Sequence, residues 1–122
     1  MARKPQLEID RAPPSINGMY RFSNRGMYIT KKGREFKNHI EAELMSAKVK
    51  SFGDKRLKVD YEFHFKGIRK RDTDNYIKPL QDCLEGHLFD NDEQIDEITA
   101  KRYYHSPEIK VLVTIQECSK KT

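Results

Sequence analysis

The clearest alternation of apolar and polar positions in the chain runs from Leu57 to Lys66. Leu57, Val59, Tyr61, Phe63 and Phe65 alternate there with Lys58, Asp60, Glu62, His64 and Lys66, the period of a strand with one buried and one wet face. A helical period appears from about Lys32 to Lys48, where Phe36, Ile40, Leu44 and Ala47 form one stripe and Thr30 is placed to cap it. Ser51-Phe-Gly53-Asp54 breaks that helix. A second helical segment, from about Asn75 to Glu85, carries Ile77, Leu80 and Leu84 at the same spacing. Ile95 to Tyr104 and Ile109 to Gln116 predict two strands joined at Ser106-Pro107. Ile109, Val111, Val113 and Ile115 share one face of the last strand, and Leu112 implies partial cover on the other. Gln6 to Ala12 alternates weakly and predicts a first strand that ends at Pro13-Pro14. Ser15 to Lys32 shows little periodicity and reads as a long loop, a length that in a small domain commonly carries function.

The order strand, helix, strand, helix, strand, strand predicts one domain over residues 1–122, of α/β (α+β) class, with a mixed β-sheet packed with two helices. No internal repeat or low-complexity tract divides it. A chain of 122 residues buries roughly two-thirds of its unfolded surface, so its core is thin.

Charge changes this picture. Charged residues make up 35% of the chain and the net charge is +5, which points to a polyanionic partner. The lysines and arginines gather in Arg3-Lys4, Arg21 to Arg34, Lys48 to Lys58, Lys66 to Arg71 and Lys120-Lys121, while acids concentrate between Asp72 and Glu97. An acidic centre in a basic surround suits an enzyme that grips phosphates at its rim and a metal at its middle. Cys83 and Cys118 read as two reduced thiols. No apolar run approaches the ~20 residues of a membrane span, and Met1-Ala-Arg-Lys-Pro lacks a signal-peptide core, so the expectation is a soluble, cytoplasmic protein without a membrane partner.

The candidate chemistry lies in Arg69-Lys70-Arg71-Asp72-Thr-Asp74-Asn75-Tyr-Ile-Lys78 and in the acidic turn Phe89-Asp90-Asn91-Asp92-Glu93-Gln94-Ile95. Asp72 and Asp74 fall at the start of the second helix, where carboxylates suit the positive end of the helix dipole. If the Asp92 turn folds back beside them, three carboxylates repel one another unless a cation intervenes. Oxygen donors alone select a hard ion, Mg²⁺, with Mn²⁺ able to replace it. Phosphodiester hydrolysis is the natural reaction of such a centre. Lys78, one turn after Asp74, can stabilise charge on a phosphate or simply form an i, i+4 ion pair. On these residues alone a structural acidic cluster also stays open. A calcium loop does not, because Ile95 stands where it needs glycine and Lys101 where it needs glutamate. His39 and Glu43 read as a surface pair.

The same residues resemble the RusA family of Holliday-junction resolvases. Pro13-Pro14-Ser15-Ile16-Asn17-Gly-Met-Tyr20-Arg21 followed by Asn24-Arg25-Gly26 matches the family's opening. Asp72-Thr-Asp74-Asn75-Tyr-Ile-Lys78 matches its Asp-x-Asp-Asn-x-x-Lys signature, and Phe89 with Asp92-Glu-Gln94-Ile95 matches its later aspartate segment. The resemblance implies catalytic, magnesium-binding roles for Asp72, Asp74 and Asp92, and a catalytic role for Lys78. It also implies a homodimer acting on four-way or other branched DNA. Asn17, Arg21, Arg25, Lys66, Arg69, Lys70 and Arg71 are the candidates for gripping that DNA. Asn91 departs from the family's usual pair of adjacent aspartates, leaving Asp90 as an outer helper. A non-catalytic branched-DNA-binding module, and a nuclease acting on flaps or forks, are the alternatives.

Overall fold

The computed structural model describes residues 5–67 and 74–118, and of Asp74 the backbone only. Its floor is a four-stranded mixed sheet in the order β1 (Leu7–Ile9), β6 (Lys110–Glu117), β4 (Leu57–His64), β5 (Ile95–Tyr103). β6 runs antiparallel to both β1 and β4, and β4 runs parallel to β5. A parallel pair needs a crossover, and the chain supplies α3 (Asp74–Leu84) between β4 and β5. The register sets Val59 opposite Ile115, Tyr61 opposite Val113 and Phe63 opposite Val111, with Leu7 and Ile9 opposite the same two valines on the other side. One face of three strands is therefore wholly apolar. α2 (Lys31–Ala47) and α3 close over it with Phe36, Ile40, Leu44, Leu80, Cys83 and Leu84. Tyr61 is fully buried in this layer and its hydroxyl finds an acceptor in Gln81 Oε1 of α3 at 2.8 Å, which removes the cost of burying it.

The α/β class, the mixed sheet and both long helices agree with the periodicity, and Thr30 caps α2 by accepting from the Gly33 amide at 2.9 Å. Leu112 is half-covered on the far face, as expected of it. Two expectations need correction. The α2 stripe does not continue to Ala47, which is exposed; it begins earlier, at Gly33. A Cβ at Gly33 would stand 2.7 Å from the Met19 carbonyl oxygen, so only glycine lets the preceding segment pack this closely on α2.

That preceding segment is the second correction. Ser15 to Lys32 is not a loop but a one-turn helix, α1 (Ile16–Met19), followed by a hairpin of β2 (Tyr20–Ser23) and β3 (Gly26–Ile29). Ser15 Oγ accepts from the Gly18 amide at 3.2 Å and starts the turn. The hairpin gives little apolar alternation because only its base, Tyr20 opposite Ile29, touches the core; Phe22, Met27 and Tyr28 farther out are exposed. The signal it does carry is Asn24-Arg25-Gly26. Gly26 takes φ +106° after the two-residue turn, a conformation that hairpins of this kind reserve for glycine.

Candidate active site

α3 begins at Asp74, so this carboxylate-bearing residue stands where the free N–H groups of a helix point outward. Lys78 follows one turn later. Its ammonium is 3.2 and 3.3 Å from the two carboxylate oxygens of Asp82, another turn along the same helix. Asp82 in turn accepts a 2.5 Å hydrogen bond from the hydroxyl of Tyr20, the first residue of β2. Burial, and then the Asp82 carboxylate, raise the Tyr20 phenol above its ordinary value, so the hydroxyl stays protonated and donates. Asp72, Arg69, Lys70 and Arg71 lie outside the described residues, as does the side chain of Asp74.

The Asp92 turn is held quite differently. Gln94 is the one polar residue buried among the described core positions, at 3% exposure, and it uses its whole amide group. Its Nε2 donates to the carbonyls of Gly53 at 2.8 Å and Lys55 at 2.6 Å, while its Oε1 accepts from the amides of Asp90 at 3.1 Å and Asn91 at 2.9 Å. Asn91 caps the single 3₁₀ turn Asp92–Gln94 by accepting from the Glu93 amide at 2.9 Å, and Glu85 Oε1 accepts from the Asp92 amide at 3.0 Å. Every amide from Asp90 to Glu93 is thereby bonded to a side chain. Asp92 itself is exposed, its carboxylate presented from a fixed backbone. Asn91 thus has a structural task where the family pattern has an aspartate, and Asp90 contributes a backbone amide to the Gln94 anchor.

Within one chain these two acidic positions do not meet, which corrects the expectation that the Asp92 turn folds back beside Asp74. Glu85, which bonds Asp92, follows the C-terminal end of α3, and Asp74 is the first residue of that helix. Eleven helical residues rise about 16 Å between them. β4 confirms the polarity: Ile95, just past the Asp92 turn, pairs with Leu57 at the start of β4, whereas Tyr76 near the start of α3 rings against Phe63 and Phe65 at its end. Among the described residues no three histidine, cysteine, aspartate or glutamate side chains are grouped to hold a metal ion. The donor chemistry of Asp72, Asp74 and Asp92 is all oxygen and fits a hard divalent cation.

Of the residues expected to meet DNA, Asn17 lies exposed on α1, Arg21 and Arg25 on the hairpin and Lys66 just past β4. α1 packs against α3, and the Tyr20 bond joins the hairpin base to α3, so Asn17 and Arg21 belong to elements that flank Lys78. Two residues that matter here carry little sequence signal. Asp82 is marked only by its place four residues after Lys78, and Gln94 is a polar residue in a polar turn whose burial no local pattern shows. His39 pairs with Asp10 at 3.1 Å and, as expected of it, lies within 3.9 Å of Glu43.

Comparison with known proteins gives two matches. The model of the family described as Endodeoxyribonuclease RusA matches residues 11–115. The chain is also similar to the crossover junction endodeoxyribonuclease rusA of Enterobacteria phage HK97, with 29% identity over 106 residues, 86% of this chain and 88% of that protein.

Proposed function

Because the chain belongs to the RusA family of endodeoxyribonucleases, which hydrolyse phosphodiester bonds in DNA, we propose that it is a Mg²⁺-dependent resolvase. It cuts four-way junctions by paired, symmetric hydrolysis, acts as a homodimer and serves DNA recombination and repair. The observation that carries this reading is the placement of Asp74 and Lys78 one turn apart at the start of α3, in the setting of the family match. Asp72, Asp74 and Asp92 are the residues that would hold the ion, with Mn²⁺ able to replace Mg²⁺. When bound, such an ion supplies positive charge at the scissile phosphate and makes water a better nucleophile. Lys78 places its ammonium against the charge that builds on the phosphate during displacement. Asn17, Arg21, Arg25, Lys66, Arg69, Lys70 and Arg71 bind the phosphates on either side, a contribution that falls steeply with salt.

The separation along α3 gives the homodimer a chemical purpose. Asp74 of one subunit requires Asp92 of the partner subunit to complete the oxygen set, and two-fold symmetry then makes two such sites, one for each of the paired cuts. Supporting this is the Asp92 turn, in which Asp92 is exposed while its backbone is already hydrogen-bonded.

The test is cleavage of a synthetic four-way junction, with linear-duplex and flap controls, with and without Mg²⁺, by the wild type and Asp74→Asn in parallel. Paired metal-dependent nicks that the substitution abolishes support the proposal. Tight junction binding without cleavage under any divalent ion would make the protein a binding module, and cleavage of flaps alone would move the activity to another branched substrate.

A further inference from the structure

A lysine and an aspartate at i, i+4 on an exposed helix face, in this order, are worth little by themselves, and the four-carbon stem of lysine roams. The Lys78–Asp82 pair differs from an ordinary surface pair in three ways. The Asp82 side chain is only 27% exposed, against 59% for Lys78. Its carboxylate is gripped from the other side by a phenol 62 residues away in sequence, on a different element. That phenol belongs to Tyr20, which packs against the core and whose own backbone begins β2. One oxygen, Oδ2, is shared by both contacts, so fixing Asp82 also fixes where the ammonium can rest.

We infer that Asp82, anchored by the Tyr20 hydroxyl, is a positioning residue for Lys78. The inference rests on the reading of Lys78 as a catalytic group. The arrangement also links two tasks. Tyr20 is the base of the hairpin that carries Arg21 and Arg25, so the element proposed to grip phosphates and the lysine proposed to act on one are tied through a single carboxylate. A group displaced by about 1 Å from its working position costs on the order of a hundredfold in rate, so a loosened ammonium is expected to be felt in the chemical step and not in binding.

The experiment is a single-turnover cleavage assay, with junction affinity measured separately, on Tyr20→Phe and Asp82→Asn, each alone and combined with Lys78→Ala. Tyr20→Phe removes one oxygen and keeps the ring in place. It is expected to slow cleavage about tenfold, and Asp82→Asn to slow it more, with junction Kd unchanged within about twofold. In the Lys78→Ala background neither substitution should slow cleavage further, because the group they position is gone. Equal losses in both backgrounds would assign Tyr20 and Asp82 a structural role instead, and faster cleavage by Asp82→Asn would show that the carboxylate restrains the lysine; either result overturns the inference. Slow cleavage by Lys78→Ala with wild-type cleavage by Tyr20→Phe would overturn the positioning role alone. Wild-type cleavage by Lys78→Ala would instead remove the catalytic role of the lysine on which it rests.

Discussion

At one end of α3 a candidate group is held through its own side-chain charge, and at the other through the amides of the turn that carries it. Lys78 depends on a carboxylate and a phenol, all three able to rotate. Asp92 sits in a turn whose amides are bonded to Gln94, Asn91 and Glu85, with Gln94 sealed beneath it. The two designs fail in different ways. Loss of a side-chain anchor at the Lys78 end loosens one charge and leaves the fold standing, whereas loss of the buried anchor at the Asp92 end strands backbone polar groups and costs stability.

The largest effect is expected at the first end. Asp74→Asn should lower cleavage on the order of a thousandfold or more, since a crippled metal site forfeits several kcal/mol of transition-state stabilisation. Junction binding, measured by gel shift, should persist because one negative charge facing phosphate is removed. At the other end, Gln94→Ala should destabilise the protein by about 2–4 kcal/mol in denaturant unfolding, because the Lys55 carbonyl and the Asn91 amide lose their partner while the Gly53 carbonyl and the Asp90 amide keep only their bond to each other, at 3.1 Å. Equal stability of this variant and the wild type would break the distinction between the two ends.

Smaller effects sharpen it. Arg25→Ala, at the tip of the exposed hairpin, should weaken binding to junctions of any sequence and reduce the salt slope by about one, with the single-turnover rate at saturation little changed. Lys70→Ala should do the same. The smallest effect concerns the thiol on the buried side of α3. Burial pushes Cys83 up to about 12 from an ordinary value of 9.0. A thiol reagent at neutral pH should therefore modify Cys118 in the folded protein and reach Cys83 only on unfolding. The sign for stability follows: between pH 9.0 and about 12 the unfolded thiol ionises while the folded one stays protonated, so stability from this group is full below pH 9.0 and falls as pH rises through that window.

Much of this architecture is legible in the chain because the physics that fixes it is local and periodic. Leu57 to Phe65 alternates since one face of β4 is covered and the other is not, and Phe36, Ile40 and Leu44 recur since α2 buries one stripe. The hairpin from Tyr20 to Ile29 leaves no apolar period because a projecting ribbon has no buried face, and its one clue in the sequence is a turn glycine. Asp74, Lys78 and Asp92 are visible as residue types at a telling spacing. What spacing cannot convey is the polarity of α3, which sends Asp74 and Asp92 to opposite ends of the same helix. Nor does it convey that Gln94 is buried, since that depends on the carbonyls of Gly53 and Lys55, some forty residues earlier.

The most direct test of a site shared between subunits is complementation. Asp74→Asn and Asp92→Asn, each inactive alone, are allowed to exchange subunits and are then given a four-way junction with Mg²⁺. If each site takes Asp74 from one chain and Asp92 from its partner, the mixed dimer contains one site with both substitutions and one with neither, so single nicks should return. No nicking in the mixture, with subunit exchange verified, would place all the carboxylates of a site on one chain and contradict the arrangement read from α3.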